Sequence, residues 1–361
     1  MVKEYKYINV ERNLYSFDDN PLIIYGRSVS ALTLFYQLKL ENANVLGFTD
    51  SFVTESHDTF CGLRVFTFEE LQEKGEINIY ISTQVNEYQR QILEKLQCLK
   101  KAKVFMRGMV WGCGPYDTNI LHKKIQQDVN EINFVRSNLN DVKSVKTFDN
   151  LLRYRVSNVE ELILEVYEKD HIQYFPGSEI LLLQPKEIFV DAGAYGGETS
   201  EKFSEWCNNY AKIYLMEPDD LMFKIAQEYI KLKKISNVIC INKGAYSHTT
   251  EINFMRIAES GSSNINENGT EKILTTSIDE MLAGDKATYI KMDIEGAEME
   301  ALLGAEQTIV KYKPKLAISI YHKEDDLWKI PFYIKKKYPW YKLYIRHYTP
   351  ITTETVLYAT V

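Results

Sequence analysis

One stretch restricts the fold of this 361-residue chain more than any other: Glu187-Ile-Phe-Val-Asp-Ala-Gly-Ala-Tyr-Gly-Gly-Glu-Thr-Ser200. An apolar strand ends in an acid, breaks into glycines, and gives way to the polar start of an amphipathic segment. Such a run predicts a strand, a tight turn and a helix, with main chain left bare where a ligand must come close. The glycines are Gly193, Gly196 and Gly197, and their spacing is not the G-x-G-x-x-G of a nicotinamide fingerprint. Asp191 precedes them, and Glu217 closes the next predicted strand, Lys212-Ile-Tyr-Leu-Met-Glu-Pro218.

Two acids beside a glycine turn, with no lysine to cradle phosphates, suit an adenosine that carries a cation. S-adenosylmethionine is the expected cofactor. Asp191 and the backbone from Gly193 through Ala194, Tyr195 and Gly196 are expected to hold its methionine end and ribose side. Glu217 is expected to accept from the ribose hydroxyls, with Pro218 beside it, and Gly244 and Ala245 to lie near the adenine. Each feature has a plainer reading: the glycines as a crossover turn, Glu217 as a surface acid. The agreement of strand, turn and acid favours the site.

The rest of the chain reads as alternating strands and helices. In the N-terminal third, strands are expected at Pro21–Tyr25, Asn44–Phe48 and Ile77–Ile81, with helices between and after them. That is a Rossmann-like α/β unit over 1–105, whose first loop keeps Gly26 but has Ser28 and Ala31 where a dinucleotide fingerprint would place glycine. Residues 106–179 read as a mainly helical connector packed between two sheets, with apolar positions at Ile120, Ile125, Val129, Ile132, Val135 and Leu139. From 180 to 361, five strands precede a C-terminal hairpin, Leu343–Tyr348 with Val356–Thr360. A polar insertion around Ala258–Asn266 is long enough to form a lid.

A set of segments in this second unit resembles the FkbM-type methyltransferases. They are Phe189-Val-Asp-Ala-Gly-Ala-Tyr-Gly-Gly197, Glu217-Pro218, Thr276-Ser-Ile-Asp-Glu280, Lys291-Met-Asp-Ile-Glu-Gly-Ala-Glu298 and Pro314-Lys-Leu-Ala-Ile-Ser-Ile-Tyr-His322. The likeness covers about residues 170 to 361, and Tyr195 departs from the Asn often found there. It implies a Class I methyltransferase sheet with a C-terminal antiparallel hairpin, and an S-adenosylmethionine-dependent O-methyltransferase acting on a hydroxyl of a sugar, glycan or natural product.

A sugar hydroxyl is a weak nucleophile and calls for a base. Asp293, Glu295 and His322 follow the fourth and fifth strands on the expected rim and are the catalytic candidates, with Asp293 and His322 equally placed to accept the proton. Lys291, inside an apolar strand, is expected to pair with an acid, and Glu298 to favour its helix N-terminus. A divalent ion bound by Asp293 and Glu295 ranks below metal-free chemistry, because further acids or histidines at ligand spacing are lacking.

Composition limits the partners. A net charge of −7 argues against a large nucleic-acid footprint. No apolar run reaches membrane-spanning length, and five scattered cysteines without a C-x-x-C pair point to reduced thiols and a cytoplasmic setting. The acceptor is expected to be a small molecule or glycan, nucleotide-linked or free, and self-association is left open. Two other functions compete: a nicotinamide-dependent oxidoreductase or epimerase built on the N-terminal unit, and a non-catalytic assembly module.

Overall fold

The computed structural model describes residues 8–9, 20–40, 42–53, 58–83, 86–106, 118–157, 159, 161–169, 172–256, 263–265 and 271–361. Two compact units divide the chain, Met1–Trp111 and Gly112–Val361.

In the first unit, seven strands lie in the order Ile8–Asn9, Ala102–Met106, Ile77–Ile81, Leu22–Tyr25, Val45–Thr49, Leu63–Val65, Thr59–Phe60. All pairs are parallel except the last. The three strands expected from sequence form its centre. Leu22–Tyr25 and Ile77–Ile81 are buried throughout, as strands covered on both faces must be. Gly26 has φ +123°, and a Cβ there would meet Ser82 Oγ at 2.5 Å. This accounts for the lone glycine by local geometry.

The second unit holds the sheet that positions the site. Its strands are β1 (Ile188–Ala192), β2 (Lys212–Met216), β3 (Val238–Ile241), β4 (Tyr289–Met292), β5 (Lys315–Ser319), β6 (Lys342–His347) and β7 (Thr355–Thr360). They lie in the order β3-β2-β1-β4-β5-β7-β6. Strands β1 to β5 run parallel, and β7 is antiparallel to both β5 and β6. This is the expected Rossmann-like methyltransferase sheet with its C-terminal hairpin. Successive residues feed opposite faces: Val190 and Ala192 of β1 join one apolar cluster, and Phe189 joins another. The same alternation separates Ile290 and Met292 from Tyr289 in β4. Both faces are covered, so these strands carry nearly unbroken apolar runs.

The helices expected in the connector are Thr118–Gln127, Val129–Ser137, Val142–Ser157 and Glu161–Leu164. They pack against the C-terminal sheet and against the helix Asp326–Lys337. Ser144 Oγ accepts from the Ile345 amide at 2.9 Å, Asp141 pairs with Arg346 at 2.7 Å, and the Trp328 indole donates to Asp128 at 2.9 Å. Ile132 and Val135 are buried as the periodicity requires, whereas Val129 is exposed.

Strands lie on both sides of the polar insertion. Glu251–Arg256 pairs antiparallel with Glu271–Thr276 and with Ser263–Ile265, and Gly244–Ala245 completes a four-stranded sheet. Residues 257–262 and 266–270 lie outside the described residues, as does the glycine-containing junction at 107–117. Among the described residues no helix is long and apolar enough to cross a membrane, and Cys61, Cys98, Cys207 and Cys240 are free thiols.

Candidate active site

In an open parallel sheet, ligands bind beyond the carboxyl ends of the strands, where the strand order reverses. Here that switch lies between β1 and β4, and the loops after β1, β2, β4 and β5 share one rim. The two central loops nearly touch: a Cβ on Gly193, at φ +78°, would fall 1.9 Å from the Asp293 carbonyl oxygen. No other residue fits. The Gly193 and Ala194 amides donate to the Met216 carbonyl at 3.1 and 3.0 Å, which ties the turn to β2.

Glu217 follows β2 and is buried, with Oε2 accepting from the Tyr195 amide and Oε1 from the Asp219 amide, both at 2.9 Å. Burial pushes its carboxyl up to about 8, against the pull of those two amides. Asp219 caps the next helix through the Leu221 and Met222 amides. Gly244 comes against Pro218, whose Cβ would lie 3.6 Å from a Cβ at position 244.

Asp191 lies deeper than the rim. It is fully buried, accepts from Ser200 Oγ at 2.8 Å and lies 3.2 Å from the Lys291 ammonium. Lys291 also donates to the Gly193 carbonyl at 2.6 Å. It therefore has the acid that its place in an apolar strand demands, and it holds the glycine turn by its main chain.

Asp293 follows β4 and accepts from two phenols beside an imidazole. The Tyr174 hydroxyl donates to Oδ2 at 2.9 Å and the Tyr321 hydroxyl to Oδ1 at 3.1 Å, and His322 Nε2 lies 3.4 Å from Oδ1. Burial raises its carboxyl, but the Lys291 and His322 cations outweigh it and hold the group below the ordinary range. His322 itself is nearly buried, with Nδ1 2.9 Å from Glu298 Oε1 and Nε2 3.6 Å from Glu295 Oε2. Burial alone would lower its pKa; Glu298, Asp293 and Glu295 lift it to about 10. At neutral pH it is an imidazolium facing the carboxyl groups of Glu298, Asp293 and Glu295.

Glu295 is pushed up to about 7 by burial, with Asp293 and Glu298 adding to the rise. Glu298 does more than favour a helix dipole. It is buried, and Oε1 also accepts from the Ile294 amide at 2.9 Å, fixing the turn that carries Asp293. The Thr276–Glu280 segment has a capping role. Ser277 and Glu280 form a capping box, and Asp279 accepts from the Gln307 and Thr308 amides at 2.9 and 2.8 Å.

Sequence reasoning missed the far wall. Gln173, Tyr174, Ser319, Tyr321 and Glu354 surround Asp293, and Glu354 comes from the β6–β7 loop. Four non-glycine residues of this rim adopt the left-handed region: Tyr174 at φ 69°, Tyr195 at 49°, Glu295 at 55° and Glu354 at 65°. Such conformations cost about 1–3 kcal/mol each and cluster where function demands them. Among the described residues no group of three His, Cys, Asp or Glu side chains could hold a metal ion.

The sheet order, the glycine turn at the switch and the acid after β2 define a methyltransferase of Class I architecture. Residues 191–340 match the model of the methyltransferase FkbM domain. Its cofactor is S-adenosylmethionine. A methyltransferase FkbM from Methylobacillus flagellatus KT shares the fold over 94% of this chain and 90% of its own, with 24% identity and a TM-score of 0.59. Weaker likenesses include fibrillarin from Aeropyrum pernix with bound S-adenosyl-L-methionine, at 10% identity over 50% of this chain and 69% of that one, TM-score 0.33. A SAM-dependent methyltransferase from Aquifex aeolicus has 12% identity over 68% and 98%, TM-score 0.32. No curated protein matches the sequence.

Proposed function

We propose that the second unit is an O-methyltransferase acting on a hydroxyl of a sugar, glycan or natural product. The observation that carries this reading is the rim itself, where an under-donated buried carboxylate, Glu217, and a cluster of acids around Asp293 flank one glycine turn. A carboxylate has about four lone-pair sites, and two amides occupy only part of Glu217. The remaining capacity suits the two O–H donors of a ribose diol, which favour the ionised form and draw the raised Glu217 carboxyl back down, so these residues fit S-adenosylmethionine. The Gly193–Gly196 backbone, Pro218, Gly244 and Ala245 line the remainder of the same site.

Bound there, S-adenosylmethionine supplies an electrophilic methyl whose leaving sulfur becomes a neutral thioether. The protein then has no leaving anion to stabilise. Its work is alignment, worth up to ~7–11 kcal/mol, and removal of the acceptor's proton. Asp293 and Glu295 are the proton acceptors of this reading, Asp293 by its place at the switch and Glu295 by a proton affinity near neutrality. His322, already protonated, acts as the fixed cation that orients both. Asp191 supports the turn from beneath through Lys291.

Calorimetric titration with S-adenosylhomocysteine tests the cofactor site: binding by the wild type, lost in Glu217→Ala, is the expected result. Equal binding by both proteins would remove Glu217 from the site. Transfer of label from radiolabelled S-adenosylmethionine to nucleotide-sugars or polysaccharide fragments tests the acceptor class.

A further inference from the structure

Tyr321 stands between two carboxylates. Its hydroxyl lies 3.1 Å from Asp293 Oδ1 and 3.2 Å from Glu354 Oε1. A phenol has a single proton, so it can donate to one of these oxygens but not to both. If both acids were ionised, one oxygen would face the phenol's lone pairs. The arrangement is satisfied when one of the two acids carries a proton and donates it to the Tyr321 oxygen.

The surroundings decide which acid that is. Asp293 faces two cations, Lys291 and His322, and a second phenol, Tyr174, donates to its other oxygen. The groups facing Glu354 are Asp293 from the β4 loop, Tyr321 from the β5 loop, His322 at longer range, and Gln173 and Tyr174 from the segment before β1. None of these touches Glu354 as a cation. Gln173 completes the pattern. Its amide nitrogen donates to Glu354 Oε2 and to the Tyr174 oxygen at 2.9 Å, which leaves Glu354 Oε1 to carry the proton.

The geometry points to Glu354 as a neutral carboxylic acid that donates to Tyr321, the trio Asp293–Tyr321–Glu354 forming a proton wire that drains Asp293. Burial and the neighbouring Asp293 charge, which raise the Glu354 carboxyl to about 7, agree with this assignment. Asp293 alone is too acidic to keep a proton taken from an acceptor hydroxyl. With Glu354 ionised, the transfer balances: the hydroxyl proton passes to Asp293, Asp293 gives a proton to the Tyr321 oxygen, and Tyr321 gives its own to Glu354. Half-buried Glu354 then releases it to solvent, and Asp293 is again a carboxylate. Tyr321 and Glu354 are thus positioning residues acting through Asp293. The wire stands on hydrogen-bond geometry, while its use in catalysis rests on the methyltransferase reading above.

Infrared spectroscopy of the full chain in heavy water at pH 6 tests the assignment without any acceptor. The wild type minus Glu354→Gln difference spectrum is expected to show loss of a carboxylic-acid C=O stretch. Loss of a carboxylate band instead would overturn the proposal. Glu354→Asp serves if the first variant fails to fold, since Asp tolerates a left-handed backbone. It withdraws the carboxyl from Tyr321, and the acid band should vanish there too; a band unchanged in this variant counts against the wire. Once an acceptor is known, the rise of kcat through pH 7 that remains in Glu295→Gln should disappear when Glu354→Gln is added; an unaltered profile in the double variant refutes the drainage role. S-adenosylhomocysteine titration on the same preparations checks the methyltransferase reading separately: absence of binding sinks that reading and leaves the infrared result standing.

Discussion

The Lys291 ammonium bridges two elements of the rim, lying 3.2 Å from the Asp191 carboxylate and donating at 2.6 Å to the Gly193 carbonyl. Both side chains are almost fully enclosed. Removing one member of such a pair leaves an uncompensated charge, at about 3–5 kcal/mol, whereas replacing both with apolar groups costs much less. Lys291→Met should therefore lower the urea midpoint sharply. Lys291→Met combined with Asp191→Leu should recover much of the loss. A double variant as unstable as the sum of the singles would show that the two do not act as a pair.

The close approach of Gly193 to Asp293 sets a second expectation. In Gly193→Ala the new methyl would sit 1.9 Å from a main-chain oxygen, on a backbone already at φ +78°. The β1 and β4 loops must part, at a cost of at least ~1–3 kcal/mol for the strained conformation alone. Thermal denaturation should show a lower Tm, and S-adenosylhomocysteine affinity should fall. By contrast Gly284→Ala, at φ +91° but with open space around it, should lose stability and keep ligand binding.

What the sequence disclosed follows from how far apart the cooperating residues lie along the chain. The glycine turn, the acid after β2 and the β4 loop are each contiguous strings at strand ends, so apolar runs and turn chemistry locate them. Lys291 was legible because a cation in a buried strand requires an acid. Gln173 and Glu354 were not, since they meet across 181 positions and neither belongs to a periodic segment. Only the hairpin's return across β5 brings the Glu354 loop beside Asp293. The strands at 251–256 and 271–276 were not legible, because the serine- and asparagine-rich insertion between them masks their short alternating runs. His322 was located correctly on the rim, yet its protonation depends on Glu298, whose burial no local pattern reveals.

His322 should make stability depend on alkaline pH. Its pKa rises from the ordinary 6.5 to about 10, because Glu298, Asp293 and Glu295 outweigh burial. A raised cation contributes stability that is fully present below about pH 6.5 and is lost as pH climbs through 10. The wild-type Tm should fall between pH 7 and pH 10.5, and His322→Gln should flatten part of that fall while lowering Tm at pH 7. Parallel curves for the two proteins would mean that His322 is neutral in the folded state.

Glu295 offers the sharpest separation of binding from chemistry. Its carboxyl is only partly enclosed and is lifted to about 7 by burial and by Asp293 and Glu298, so it ionises close to neutral pH. A base of that strength loses its proton-accepting form as pH falls through 7, which imposes an acid limb on kcat/KM. Glu295→Gln keeps the shape of the turn and removes the base. Turnover should drop by about 10²–10⁴-fold, the range of a positioned base, while S-adenosylhomocysteine affinity stays within a few-fold of wild type. If Glu295→Gln retains full turnover and the acid limb persists, the proton leaves through Asp293 alone, and the residual limb should then disappear in Glu354→Gln.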